Sequence, residues 1–285
     1  MEKNPPANGP NTREALPPPL YEVVARSAAA ETHQDRNDDA YVALPSGLIA
    51  VLDGMSAHAG SNQASQIGAA TVDELLAAAA PDDLYPKMRN TFNVAHQRIF
   101  AANSEIDTTA TVAWVIPLFE GDVPETEQEH ITMIGHTGDS RLYVRRYETG
   151  ETECLTIDQG IHSNGDTEED RWHQDQIDQI ATVEDLLTYC AGGQGRLERF
   201  NNRHKLRSGL GTAAEPEVHL SYTVLKPGDV LFALTDGISN NLTKSELYER
   251  FAQIDSRSLL AVTMGILNAS VNRSHETNHL RRTVD

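Results

Sequence analysis

Cysteine is almost missing from this sequence, with Cys154 and Cys190 the only two in 285 residues. One pair cannot supply the disulfide framework of a secreted chain, so both thiols are expected to be reduced and structural, in a cytoplasmic protein. Positive charge is also short: 23 Lys and Arg stand against 42 Asp and Glu, a formal net charge of −19. Such a surface repels nucleic acid and anionic membrane, which removes both as expected partners. It repels anionic substrates too, unless bound cations reverse the sign locally. No stretch approaches the ~20 apolar residues of a membrane helix. No basic segment followed by an apolar run marks a signal peptide. Tandem repeats of solenoid type are absent.

What is there fits an ordinary globular protein, 39% hydrophobic and 23% charged, long enough for one large domain or two small ones. Residues 1–19 hold six of the 13 prolines and read as a disordered tail, with a folded domain over 20–285. Short β-rich runs at Tyr21–Ala25, Ala40–Leu44 and Leu48–Leu52 read as strands, the last two as a hairpin around Pro45-Ser46-Gly47. Helical spacing over 62–80 and 84–102 predicts an antiparallel pair. Strands are expected at 109–116, 130–135, 141–145, 152–156, 217–224 and 230–234. The acidic stretch 158–180 reads as a surface excursion with short helices over 175–190. Helices at 244–253 and 256–269 complete the pattern. This segregated order predicts an α+β fold with helices laid on antiparallel sheets.

Two distant segments share a design: Leu48-Ile-Ala-Val-Leu-Asp53-Gly54 and Val230-Leu-Phe-Ala-Leu-Thr-Asp236-Gly237. Each is a near-continuous apolar strand, of the kind buried on both faces, that breaks into Asp-Gly. A carboxylate at such a strand end is costly unless something positive compensates it. Gly lets the backbone turn sharply there and bring its carbonyl close. Asp38-Asp39 opens the strand that pairs with the first segment, which predicts Asp39 beside Asp53. A strand-end Asp-Gly is by itself only a turn signal. Two of them with Asp38-Asp39 point to a hard-oxygen site for Mg²⁺ or Mn²⁺.

Asn37-Asp-Asp39-Ala, Asp53-Gly-Met-Ser-Ala-His58, Gly138-Asp-Ser-Arg141 and Leu234-Thr-Asp-Gly237 resemble the ordered motifs of the PPM, or PP2C-type, protein phosphatases. Thr108-Thr-Ala110 and Leu155-Thr-Ile-Asp158 resemble two further segments of that family. The resemblance implies a four-layer αββα sandwich, two antiparallel sheets flanked by helix pairs. It implies two Mn²⁺ or Mg²⁺ ions, and a weak third, held by Asp38, Asp39, Asp53, Gly54, Asp139, Asp236 and Asp285. Asp53, Asp236 and Asp39 would be the catalytic acids. A water between the ions would be the nucleophile for attack on phosphorus, consistent with the lack of a Cys-x5-Arg loop. Substrates would be phosphorylated proteins, supplied by a Ser/Thr kinase and handled by a monomer.

The sequence departs from the family pattern at four places. Gln34 stands where the family places a phosphate-gripping Arg, which makes Arg36 the candidate substitute. Met55-Ser-Ala-His58 lacks the usual Gly-Gly, and His58 is a candidate substrate-side acid. Asn240 replaces a third-metal Asp. The sequence stops at Asp285, before the family's final strand, so weakened metal affinity is expected. Those gaps keep a second reading open, a catalytically impaired relative that binds or regulates. A third is a zinc hydrolase, because His275-Glu-Thr-Asn-His279 matches the pattern that puts two histidines on one helix face. Gly192-Gly-Gln-Gly195 lacks a phosphate-loop lysine and reads as a plain loop.

Overall fold

The hairpin forms as β1 (Asp39–Leu44) and β2 (Leu48–Asp53), and its register sets Asp39 directly opposite Asp53. Gly47 closes it at φ +98°, with its N–H donating to Leu44 O at 2.9 Å. A Cβ there would lie 2.7 Å from both the Tyr21 ring and Val115 O, so only glycine fits. The computed structural model describes residues 21–29, 36–55, 60–118, 128–165, 167–276 and 280–281. The expected tail at 1–19 lies outside them.

Next come α1 (Ser61–Leu76) and α2 (Leu84–Ala102), then the strands β3 (Ala110–Pro117), β4 (His130–Thr137), β5 (Arg141–Arg145) and β6 (Thr152–Cys154). The excursion carries three helices, α3 (Glu168–Gln179), α4 (Val183–Ala191) and α5 (Arg196–Asn201). β7 (His219–Leu225) and β8 (Val230–Leu234) lead into α6 (Asp236–Ser239), α7 (Lys244–Phe251) and α8 (Leu259–Ser274).

The strands form two antiparallel sheets, ordered β1-β2-β3-β4-β7 and β6-β5-β8. Three cores separate four layers. Val72, Met88, Phe92 and Ile99 of α1 and α2 pack on Leu52, Val112 and Trp114 of the five-stranded sheet. Between the sheets Ala113 and Ile134 meet Leu142, with Ile49, Leu231 and Ala233 beside them. Leu247, Phe251, Val262 and Ile266 of α7 and α8 cover Tyr143 and Phe232. Burial on both faces explains why β3 and β4 read as unbroken apolar-and-Thr runs rather than alternating ones. The α+β class expected from the element order, and the four-layer sandwich implied by the resemblance, are therefore the fold.

Two expectations are corrected, and one element is added. Tyr21–Ala25 is not a strand: it runs without ladder pairing, held by Tyr21, which packs with Val115, Val144 and Leu225. The excursion is not merely surface, because α3 starts at Glu168 and buries Asp170, His173, Ile177 and Asp178. Its early start follows from Thr167, whose hydroxyl caps Asp170 N at 3.1 Å, with Glu168, Glu169 and Asp170 favourable at the dipole's positive end. The one-turn α6 was not expected from the apolar pattern, being too short to show periodicity.

Candidate metal centre and active site

Four acids arrive at one end of the sandwich from different elements. Asp39 begins β1, Asp53 ends β2, Asp139 sits in the crossover from β4 to β5, and Asp236 follows β8. Two come from one sheet and one from the other, so their convergence depends on sheet stacking, not on local sequence. The backbones at Asp53 and Asp38-Asp39 are clamped. Thr108 Oγ1 donates to Asp53 O at 2.7 Å, and Asp53 N donates to Thr109 Oγ1 at 3.0 Å. Asp39 N donates to Asn37 Oδ1 at 3.1 Å, and Ser65 Oγ of α1 donates to Asp38 O at 2.6 Å. Gly138, at φ +103°, turns the chain ahead of Asp139, and a Cβ there would strike Thr109 at 2.6 Å.

The acids open into a cleft of ≈ 1540 Å³ whose walls include Arg36, Asp38, Asp53, Asp139, Arg207 and Asp236. Burial pushes the Asp39 carboxyl up to about 7, with the charges of Asp236 and Asp38 adding to it and Thr235 and Asp53 hydrogen bonds opposing it. Asp53 and Asp139 are pushed well above the carboxylate range, by burial first and then by the neighbouring acids. Asp39, Asp53 and Asp139 cannot all ionise here without a compensating charge.

Among the described residues, no group of three or more His, Cys, Asp or Glu side chains faces a common centre. The acids meet in pairs instead, Asp39 with Asp53 and Asp53 with Asp236. Thr235 Oγ1 donates to Asp39 Oδ2 at 3.1 Å and Asn240 Nδ2 to Asp236 Oδ2 at 2.8 Å. The donor chemistry nonetheless fits a hard divalent cation: buried carboxylate oxygens whose charged form lacks only positive charge.

Residues 26–273 match the family described as protein phosphatase 2C. The chain belongs to that family. It is a metal-dependent protein serine/threonine phosphatase. Among solved structures it is similar to the Mycobacterium tuberculosis serine/threonine phosphatase PstP/Ppp, with 20% identity, TM-score 0.64, and 88% of this chain and 92% of that one covered. The S. agalactiae serine/threonine phosphatase gives 19%, 0.60, 88% and 93%. PppA of Pseudomonas aeruginosa, described as a regulatory component of T6SS, gives 19%, 0.60, 88% and 90%. At such identities these likenesses establish the fold. No curated protein matches the chain.

Of the phosphatase's expected site residues, Asp38, Asp39, Asp53, Gly54, Asp139 and Asp236 all reach the cleft. Arg36 reaches it too, but its Nε is committed to Asp38, 3.0 Å from Oδ2 and 2.7 Å from Oδ1. His58 and Asp285 lie outside the described residues. The zinc-hydrolase reading needs a helix through His275 and Glu276. Instead α8 ends at Ser274, His275 is its C-cap, and Glu276 pairs with Arg273 at 3.3 Å. Gly192-Gly-Gln-Gly195 is the loop expected, joining α4 to α5.

Sequence reasoning missed the phosphatase's supporting shell. Arg141 grips Asp158 with two bonds, at 2.9 and 2.6 Å, and reaches Asp178 at 2.8 Å. Arg141 and Asp158 lie inside recognisable motifs, but nothing local to Asp178 foretells its place in the network. Thr235 and Asn240 flank the second Asp-Gly, and their hydrogen bonds needed the fold to be seen.

Proposed function

We propose that this cleft hydrolyses phosphoserine and phosphothreonine esters of protein substrates, using two Mn²⁺ or Mg²⁺ ions held by Asp39, Asp53, Gly54 and Asp236. Asp38 supports that set, and Asp139 borders a weak third position. The convergence of acids from both sheets carries this reading, because it leaves a concentrated demand for positive charge inside a protein of net −19. Bound there, divalent cations supply a nucleophilic water at neutral pH and positive charge against the phosphate. The chain's own part is to orient. Thr108 and Thr109 fix the Asp53 backbone, Thr235 fixes Asp39, and Asn240 fixes one oxygen of Asp236. Arg36, anchored through Nε, has the rest of its fork for a phosphate oxygen. His58 as an acid on the substrate side and Asp285 as a further ligand rest on the sequence resemblance.

The reaction consumes the product of a Ser/Thr kinase, which makes such a kinase the functional counterpart. A cytoplasmic monomer is in keeping with the scarcity of cysteine and the high net charge. Asp53→Asn and Asp236→Asn each remove one charge at nearly constant shape. Each should lower Mn²⁺-dependent hydrolysis of p-nitrophenyl phosphate and a phosphothreonine peptide by about a thousandfold or more, roughly 4 kcal/mol in barrier. Circular dichroism should stay unchanged. Near-normal rates in both variants, or activity that survives EDTA, would sink the assignment.

A further inference from the structure

Arg281 stands among the largest fully buried side chains, at 0% exposure. Its two terminal nitrogens reach helices far apart in sequence: Nη1 donates to Ile177 O at 2.8 Å and Nη2 to Ser239 O at 2.7 Å. Ile177 lies in the last turn of α3, and Ser239 is the last residue of α6. Carbonyls in a helix's last turn carry the negative end of its dipole and keep acceptor capacity, and Ile177 O takes the guanidinium in addition to the N–H of Ile180, at 3.1 Å. One guanidinium therefore caps two helix C-termini at once. Leu280 beside it packs on the cluster of Ile177, Ile180, Tyr189 and Phe200.

Both capped helices serve the acids. α6 is one turn long, far below the length at which a helix holds itself, and Asp236 is its first residue. Asn240, which follows Ser239, donates to Asp236 Oδ2. On the other side α3 supplies Asp178 to Arg141, two residues past Asp139. Arg281 also bears on Asp178 by charge.

We infer that Arg281 is a positioning residue for the metal centre: it pins α6, and through Asn240 the carboxylate of Asp236, to α3. The inference rests on the metal-centre reading above. A group that merely glues the fold would affect stability alone, whereas this one sets cation affinity. Partners of that kind change metal affinity by about 10–100-fold when removed.

The test is calorimetric titration of the whole chain with Mn²⁺ alone, comparing wild type, Arg281→Met, Arg281→Lys, Asp236→Asn and Met88→Ala. Met88 is fully buried in the opposite core, on α2, so its truncation lowers stability far from α6. Arg281→Met should weaken Mn²⁺ binding about tenfold, while Met88→Ala binds as wild type does. Lys keeps the charge but offers a single nitrogen of shorter reach in place of the two-nitrogen fork, so Arg281→Lys should fall between, at about a threefold loss. If Arg281→Met does not fold, a folded Arg281→Lys decides alone. Wild-type affinity in whichever Arg281 variant is decisive overturns the inference, as does an equal loss in Met88→Ala. If wild type binds no Mn²⁺, or Asp236→Asn binds as tightly as wild type, the metal-centre reading fails and this inference with it.

Discussion

His136 shows how much one side chain can weigh when both its ring nitrogens are enclosed. Nε2 donates to Ile157 O at 2.9 Å, which assigns the neutral tautomer with Nδ1 as acceptor from Thr111 Oγ1, also at 2.9 Å. The Thr111 hydroxyl has one proton and lies 2.6 Å from Ser140 O, so it is shared between them. Burial pulls the imidazole from 6.5 down to about 4. The unfolded chain thus takes up this proton below about 6.5 while the folded one does not. Stability from this residue is complete above that pH and is lost as pH falls toward 4, on the order of 3 kcal/mol in all. Thermal unfolding of wild type and His136→Gln from pH 7.5 to 4.5 checks it: the wild-type midpoint should fall more steeply. Parallel curves would show that His136 does not titrate this way. His136 is two residues ahead of Gly138-Asp-Ser-Arg141 but one past the strand expected at 130–135, which in fact runs to Thr137. Its enclosure was not legible, because Ile157 and Thr111 come from other elements.

Helices α4 and α7 begin with the same device in different surroundings. In α4, Thr182 Oγ1 accepts from Asp185 N at 3.2 Å, and Thr182 N donates to Asp185 Oδ2 at 2.9 Å, all of it exposed. In α7, Thr243 Oγ1 accepts from Glu246 N at 3.2 Å and Thr243 N donates to Glu246 Oε2 at 2.8 Å. There Thr243 is buried, and Glu246 also receives Arg273 of α8 at 2.5 Å. Thr182→Ala should cost about 0.5–1 kcal/mol, within the usual range for a lost cap, and Thr243→Ala nearer 2. Urea unfolding midpoints of the two variants give the comparison; a larger loss at Thr182 would contradict it. Elements of this size were legible in the sequence. β2 and β8 are apolar runs ending in Asp-Gly, and α2 repeats its apolar residues at helical spacing. The misses share a cause. Tyr21–Ala25 has strand composition yet, among the described residues, no strand pairs with it, and α6 is a single turn shaped by Ser270 and Asn241, which both donate to Gly237 O.

At the scale of the whole molecule, net charge and the acid cluster pull in the same direction. A formal −19 raises the free energy of any compact state, and the acid cluster concentrates that repulsion where burial already opposes ionisation of Asp39, Asp53 and Asp139. Cations bound at the cluster act on the native state alone, since the hairpin register sets Asp39 beside Asp53 and only the stacking of two sheets brings Asp236 to them. Mn²⁺ should therefore stabilise the folded chain by mass action, about 2.7 kcal/mol at a hundred times its dissociation constant. General screening by salt would ease surface repulsion too, but without saturating at a low concentration of divalent ion. The measurement is the melting temperature after EDTA treatment, titrated with MnCl₂ and, separately, with NaCl to the same ionic strength. A saturable rise with Mn²⁺, absent with NaCl and lost in Asp53→Asn, is the expected result. Equal effects of the two salts, or a full Mn²⁺ response in Asp53→Asn, would mean that the cluster is not where the cations bind.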